Sequence, residues 1–193
     1  IFAISGKLVR RQLRLFWGVR AASRDIEIRP RDWLVATLAK CSSLLSLFPE
    51  KIIVNATQTR RTLVADGFPA QKITVIANGI DTEQFRFNRV YREQYRLDNK
   101  IGQNVFLVGL VARLDRIKNI EMYIESAAHF LAADPDSLFL IVGAGDVVYQ
   151  RELEALAAEA QVQGKVVFCG SQASNGVVEI LSALDAFVLT STG

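Results

Sequence analysis

Short apolar runs alternate with amphipathic stretches over the second half of the chain. Runs rich in β-branched and aromatic residues recur at intervals of about 30 residues, which is typical of βαβ units in a parallel sheet. Because these runs are almost continuously apolar, we predict that the strands are buried on both faces of the sheet. The predicted strands are NVFLVGLV (104–111), SLFLIVG (137–143), KVVFCG (165–170) and DAFVLT (185–190).

Amphipathic helices are predicted between these strands. Apolar residues at the i, i+3, i+4 spacing form one helical face after the first strand and another after the second, and a further helix is predicted over 177–184. The two faces consist of Ile120, Tyr123, Ile124, Ala127 and Leu131, and of Leu153, Leu156, Ala157 and Ala160.

The first half of the chain follows the same order with less regularity. It contains the apolar run IFAIS, two helical patterns around 7–24 and 32–47, and the runs KIIVNAT and KITVIANG on either side of a helix that ends at Gly67. A polar stretch over 82–103 has no strand pattern and is the natural linker. We therefore predict two α/β domains with parallel sheets, residues 1–99 and residues 100–193.

Composition excludes several classes of protein. The chain has 193 residues, half of them hydrophobic, so a packed core is expected, and its net charge of +3 does not indicate nucleic acid binding. No apolar run reaches the roughly 18 residues of a membrane span, and no signal peptide is recognisable, so a cytoplasmic protein is expected. Two distant cysteines and one histidine predict no metal site.

Positive charge is concentrated at the start of the chain. Residues 1–40 contain nine Lys and Arg against three acids, and Lys7, Arg10 and Arg14 fall on one face at helical spacing. Two interpretations remain open. The predicted helices present either a solvated face or a surface for peripheral contact with anionic lipid at the inner face of the membrane.

The most informative charges follow the strand at 104–111. In VGLVARLDRIKN, Arg113 and Lys118 stand at the two ends of a loop that leads into a helix. Ligands of parallel α/β sheets bind beyond the carboxyl ends of the strands, where helix N-termini present unpaired N–H groups. A planar guanidinium fork and a compact ammonium charge suit a diphosphate. The alternative is a solvated basic loop in which Arg116 faces Asp115 and Glu121.

Two more strand exits are predicted at the same edge. VGAGD (142–146) is not a dinucleotide fingerprint, because Val148 stands where the third glycine is required. Its glycines, Gly143 included, allow a tight turn and close approach to a neighbouring loop or to a ligand. FCGSQ (168–172) offers backbone amides to a nucleobase, and its cysteine is read as a small buried hydrophobe.

ANGID (77–81) follows the last strand of the first half. Its Asn78-Gly79 pair is a strong turn signal. The loop is either a structural turn or a loop that faces a cleft between the domains.

Taken in order, these motifs resemble the retaining glycosyltransferases of the two-Rossmann-domain (GT-B) type, family 4, also called glycosyl transferases group 1. KIIVNATQTRRTLVADGFPAQKITVIANGIDTEQF resembles the end of that family's first domain. VGLVARLDRIKN resembles its G-R-L-x-x-x-K-[GN] element, with Ala112 where glycine is often found. FLIVGAGD, VVFCGSQ and ALDAFVLTS follow in the family's order. The resemblance covers 51–193 by motif and 1–50 by pattern only.

The resemblance implies an α/β fold of two Rossmann-like domains, both incomplete in this chain. It implies transfer of a sugar from a nucleotide-diphosphate sugar to an acceptor hydroxyl with retention and without a metal or other cofactor. The acceptor would be a glycan, a lipid-linked molecule or a small molecule. Arg113 and Lys118 would bind the diphosphate and stabilise the leaving group. The other donor-binding residues would be Gly143, Cys169, Gly170 and Ser171, and the cleft-lining residues Asn78 and Gly79.

Parts of the family pattern are expected outside this chain. The glycine-rich first loop and a first-domain histidine would precede residue 1, and an E-x7-E element would follow Gly193. We therefore expect an internal fragment with little catalysis of its own. Two alternatives remain, namely a nucleotide-sugar epimerase of the same fold and a non-catalytic nucleotide-binding module.

Overall fold

The computed structural model describes residues 13–20 and 41–192. The chain forms two compact units that divide between Ile80 and Asp81. The predicted strand IFAIS and most of the basic segment lie outside the described residues. None of the helices in the described part of the chain has the length and apolarity needed to cross a bilayer.

The first unit contains a three-stranded parallel sheet in the order β1-β2-β3. Ile52, Val54, Leu63 and Ile73 form its small core. Its elements are β1 (Phe16–Val19), β2 (Lys51–Val54), α1 (Thr57–Ala65) and β3 (Ile73–Val75), and residues 41–45 are also helical. As predicted, α1 ends at Asp66 and Gly67, where the glycine adopts a φ of +90°.

β1 contradicts the helix predicted around 7–24. Residues 16–19 are a strand in parallel register with Lys51–Val54, so the helix prediction is wrong there. Trp17 and Val19 pack against the core while Phe16 and Gly18 are exposed, which is the two-residue period of a strand. Over so few residues this period and a helical period cannot be separated, and the pairing with β2 decides between them. Arg14 therefore lies just before a strand, where it pairs with Glu50 at 2.9 Å.

The second unit contains a four-stranded parallel sheet in the order β6-β5-β4-β7, with helices between the strands. This arrangement confirms the predicted α/β class with parallel sheets. Its strands are β4 (Leu107–Val111), β5 (Leu138–Val142), β6 (Val166–Gly170) and β7 (Ala186–Phe187). Its helices are α2 (Arg89–Asp98), α3 (Ile120–Ala133), α4 (Val147–Glu159) and α5 (Ser174–Ala183), with a short 3-10 helix at Arg116–Lys118.

Both faces of the central strand β4 are buried, as its apolar sequence predicted. Val108 and Leu110 pack on one side against α3 and α4, whereas Leu107 packs on the other side against α5. The hydroxyl of the buried Tyr123 donates to the carbonyls of Val108 and Leu140, at 3.1 and 3.2 Å. Helices therefore pack on both faces of the strand whose carboxyl end leads into the loop with Arg113.

Helix α2 belongs with the second unit, whereas the sequence assigned it to the linker at the end of a domain 1–99. The reason is a polar network at the amino end of β4. Arg92 and Arg96 each donate to the Asp185 carboxylate at 2.6 Å, and the guanidinium of Arg96 is fully buried. Leu107 N–H donates to the same carboxylate at 2.8 Å. Arg96 also donates to three carbonyl groups, those of Ala183, Gly102 and Val105.

Candidate functional site

Backbone hydrogen bonds join three strand exits at the carboxyl edge of the second sheet. Beyond β4, Ala112 N–H donates to the carbonyl of Val142 at 2.9 Å, and Leu114 N–H to that of Ala144 at 3.1 Å. Beyond β5, Gly143 N–H donates to the carbonyl of Gly170 at 2.8 Å. The structure thus brings together the loops that carry Arg113, Gly143 and Gly170, as a parallel sheet requires.

Two glycines allow this close approach. Gly143 has a φ of +142°, and a Cβ there would lie 1.8 Å from the Ala112 carbonyl oxygen. A Cβ on Gly145 would lie 2.2 Å from the Leu114 carbonyl oxygen. Of the two purposes considered for the VGAGD glycines, packing against a neighbouring loop is therefore present. Contact of Gly143 with a donor stays a prediction.

A cleft of about 430 Å³ opens between the loop after β4 and the start of α4. Arg113 is the predicted site residue that lines it, and Lys118, Gly143 and the loop 169–171 are not among its lining residues. The lining residues are Arg113, Leu114, Asp115, Arg116, Gly145, Asp146, Val148 and Tyr149.

The middle cation of the loop, Arg116, is already held by neighbouring side chains. Its guanidinium pairs with Glu152 at 2.5 Å and Glu121 at 3.8 Å, and it lies 4.8 Å above the ring centroid of Tyr149. The Tyr149 hydroxyl in turn donates to Glu121 at 2.6 Å, and burial followed by this contact raises the pKa of Tyr149. Arg116, although 67% exposed, thus contacts both the start of α3 and α4.

Arg113 and Lys118 are far less constrained. The side chain of Arg113 is 74% exposed and reaches Asp115 at 3.2 Å, a contact of little energetic weight in water. Within the described ranges, the Lys118 ammonium makes no hydrogen bond or ion pair. Both cations of the predicted diphosphate pair are thus available to a ligand.

The three helices that begin at this edge differ in their capping. At α4 the Asp146 carboxylate accepts from the N–H groups of Val148 and Tyr149, at 2.7 and 3.0 Å, and these bonds lower the pKa of Asp146. The residues before α3 and α5, Asn119 and Ala173, provide no side-chain cap. Asp146 therefore occupies the first N–H groups of α4, whereas the residues that precede α3 and α5 leave those of their own helices without a side-chain cap.

The end of β6 places Cys169 against helix α2. Burial raises the pKa of the Cys169 thiol, and the thiol contacts the hydroxyl of Tyr95. Burial and this neighbour raise the pKa of Tyr95 to about 12. Cys169 is therefore a neutral, half-buried thiol, in agreement with its interpretation as a small hydrophobe, while Gly170 and Ser171 are exposed.

Cysteine alkylation tests this assignment. At neutral pH, iodoacetamide is expected to modify the exposed Cys41 well before Cys169, because alkylation requires a thiolate and an accessible sulfur. Peptide mass spectrometry of a time course measures both rates. Equal rates would show that Cys169 is an exposed, reactive thiol.

Asn78 and Gly79 lie in the first unit, beyond β3. Both are exposed in a segment without regular structure, and a Cβ on Gly79 would meet no neighbouring atom. The described contacts give this loop no ligand-binding feature of its own, so its predicted place in a cleft stays a prediction.

The segment that follows β7 makes a contact with the predicted phosphate loop that the sequence motifs did not indicate. The Thr190 hydroxyl donates to the Lys118 carbonyl at 2.8 Å, and Thr192 N–H donates to the Ile117 carbonyl at 3.1 Å. The residues TSTG match no binding motif. Only their position could have indicated a role, because residues 190–192 leave the sheet at the same edge as β4.

Metal-binding side chains do not cluster in the part of the chain that the structure describes. No group of three or more His, Cys, Asp or Glu side chains there is arranged to hold an ion.

The family model described as "Glycosyl transferases group 1" matches residues 91–192. The chain belongs to this family. The match includes the strand exits of the second unit, Arg113 and Lys118. This agrees with the resemblance that the sequence motifs indicated.

Curated relatives carry specific activities in their names. The UDP-Gal:alpha-D-GlcNAc-diphosphoundecaprenol alpha-1,3-galactosyltransferase of Escherichia coli is 27% identical over 164 residues, covering 82% of this chain and 39% of the relative. The 2-deoxystreptamine glucosyltransferase of Streptomyces kanamyceticus is 28% identical over 142 residues, covering 70% of this chain and 36% of the relative. The chain thus spans well under half the length of these relatives.

Solved structures confirm the GT-B fold. HepE of Anabaena, crystallised with UDP and glucose, superposes with a TM-score of 0.81 over 98% of this chain and 49% of that protein. Sequence identity in this comparison is 20%, so the likeness concerns the fold alone.

Proposed function

We propose that this protein transfers a sugar from a nucleotide-diphosphate sugar to an acceptor hydroxyl, with retention of configuration and without a metal ion. The observation that carries the proposal is the pair Arg113 and Lys118. Both cations lie at the carboxyl edge of the second sheet, and among the described residues Arg113 has only the exposed contact with Asp115 and the Lys118 ammonium has no hydrogen bond or ion pair. Membership of the glycosyl transferases group 1 family supports the reaction class.

The proposed catalytic role of the two cations follows from the charge of the leaving group. When the bond between sugar and phosphate breaks, negative charge develops on the departing nucleoside diphosphate. Preorganised cations and helix N–H groups that face this charge stabilise the transition state more than the ground state. Arg113, Lys118 and the uncapped starts of α3 and α5 are suited to this role, which a metal ion fills in other transferases.

The remaining donor contacts are assigned by position. The backbone of Cys169, Gly170 and Ser171 would contact the base, and Gly143 would lie beside the diphosphate. UDP is the first candidate nucleotide, because UDP is bound in HepE and UDP-Gal is the donor in the name of the E. coli relative.

The first unit is proposed to face the acceptor, with Asn78 and Gly79 lining the cleft. The acceptor named for the E. coli relative is lipid-linked, whereas that of the Streptomyces relative is a small molecule. A lipid-linked acceptor would place the protein at the inner face of the membrane. Lys7 and Arg10, which lie outside the described residues, would then contact anionic lipid together with Arg14.

Calorimetric titration of UDP, GDP and ADP tests the diphosphate site. We expect one nucleotide to bind, and Arg113→Ala and Lys118→Ala each to weaken its affinity by about 1.5 to 3 kcal/mol, the range for a charged hydrogen bond. This corresponds to roughly 10-fold to 150-fold.

Lys165→Ala provides a charge-matched control. Lys165 lies at the opposite edge of the same sheet, just before β6, so its loss is expected to leave nucleotide affinity unchanged. Full affinity in both Arg113→Ala and Lys118→Ala would mean that these two cations belong to a solvated loop and do not bind the diphosphate. A wild-type protein that binds none of the three nucleotides would contradict the proposed function.

A further inference from the structure

We infer that Thr190 is a positioning residue for Lys118, and through it for the donor diphosphate. The inference rests on the proposed function, because it assigns Thr190 a part in the same anion site. The observation behind it is the 2.8 Å hydrogen bond from the Thr190 hydroxyl to the Lys118 carbonyl, between residues 72 positions apart in sequence.

The segment after β7 continues alongside β4 and then reaches the predicted phosphate loop. Val188 N–H donates to the Gly109 carbonyl at 2.9 Å, which extends the pairing beyond the last residue of β7. Thr190 and Thr192 then donate to two successive carbonyls of the 3-10 helix, those of Lys118 and Ile117. One extended segment therefore holds the end of the loop from the side.

The 3-10 helix needs this support because it is very short. Its own hydrogen bonds use the carbonyls of Asp115 and Arg116, which accept from the N–H groups of Lys118 and Asn119. The carbonyls of Ile117 and Lys118 take no part in those two bonds. Asn119 then adopts a left-handed conformation, with a φ of +47°, which separates the 3-10 helix from α3.

Anchoring the backbone matters for Lys118 because its ammonium makes no hydrogen bond or ion pair with the described residues. The backbone sets the Cα–Cβ direction of Lys118, so an ordered backbone fixes where its side chain begins. A hydroxyl bond to the Lys118 carbonyl fixes that direction and reduces the conformational entropy that anion binding must remove. Arg113, at the other end of the loop, does not depend on this bond.

A UDP titration with a double-mutant cycle tests the inference. Thr190→Val removes the hydroxyl at nearly constant volume and is expected to weaken UDP binding about threefold to tenfold, as loss of one neutral hydrogen bond does. Thr190→Ser keeps a hydroxyl and is expected to retain wild-type affinity. In a Lys118→Ala background, Thr190→Val is expected to cause no further loss, because its effect passes through the lysine.

Several outcomes would overturn the positioning role. One is a Thr190→Val protein with unchanged affinity beside a Lys118→Ala protein that is clearly weakened. Others are an undiminished effect of Thr190→Val in the Lys118→Ala background, or failure of Thr190→Ser to restore affinity. If Thr190→Val does not fold, Thr190→Ala takes its place in the same cycle. A wild type that binds none of UDP, GDP and ADP overturns the proposed function and the inference together, whereas a Lys118→Ala protein with normal affinity overturns the inference alone.

Discussion

Replacing Asp185 with asparagine is expected to lower the free energy of unfolding of the second unit by about 3 to 5 kcal/mol, the cost of removing one partner from a buried ion pair. Arg96 is fully buried, and in the variant its charge would remain there without a counterion. The asparagine keeps the shape of the side chain, so the decrease in the free energy of unfolding measures the lost charge and hydrogen bonds and not the creation of a cavity. Urea unfolding followed by circular dichroism measures it.

A second ion pair on the same helix provides the control. Arg89 and Glu93 pair at 2.8 Å on the exposed surface of α2. Because water solvates both partners, Arg89→Ala is expected to leave stability nearly unchanged. An Asp185→Asn protein as stable as Arg89→Ala would show that the network does not hold α2 on the second unit.

The same substitution has a defined pH dependence. Burial of Asp185 opposes ionisation, but the N–H of Leu107 and the guanidiniums of Arg92 and Arg96 outweigh it and lower the pKa of Asp185. Its contribution is therefore fully present above the unfolded pKa of about 3.9 and disappears as the pH falls through the lower folded value. The stabilities of wild type and Asp185→Asn are expected to converge in acid. A gap that persists there would exclude the carboxylate as its cause.

Replacing Gly143 with alanine is expected to cost about 3 kcal/mol or more, above the range for strained backbone alone. A Cβ 1.8 Å from the Ala112 carbonyl oxygen cannot be accommodated unless the loop after β4 moves. Since Arg113 follows Ala112 directly, nucleotide affinity is expected to fall with stability. Thermal unfolding and UDP titration below the melting temperature measure the two effects separately.

Gly164→Ala separates the steric clash from backbone strain. Gly164 also has a positive φ, +87°, but a Cβ there would meet no atom within 4 Å. Its substitution is expected to cost only about 1 to 2 kcal/mol, the penalty for a left-handed residue with a side chain. It should leave UDP affinity intact. An equal loss of stability for Gly143→Ala and Gly164→Ala would mean that the close approach of the loops at Gly143 does not contribute to the effect of its substitution.

The predictable parts of the fold are those whose signal is local. Strands β4 and β5 were found because buried strands are apolar throughout, and α3 and α4 because one side of each meets the sheet. Strand β6 has the same apolar signal, but it is an edge strand and Val167 is exposed, so the prediction of burial on both faces is wrong there. Strand β1 was missed because Phe16–Val19 is too short to show its own period, and its pairing with β2 depends on residues far along the chain. Helix α2 packs in the second unit, whereas the predicted boundary lies at residue 99, and nothing in the sequence indicated this because an arginine in a polar stretch shows no sign of burial.

For the candidate site, the sequence by itself determined which cations stand at a strand exit of a parallel sheet, since strand, loop and helix follow one another along the chain. Only the tertiary structure decided how the three cations differ. Arg116 is held by Glu152 and Tyr149 from the next helix, and the Lys118 backbone is held by Thr190 from beyond β7. These contacts join residues that are distant in sequence, and they arise only when the sheet brings its carboxyl ends together.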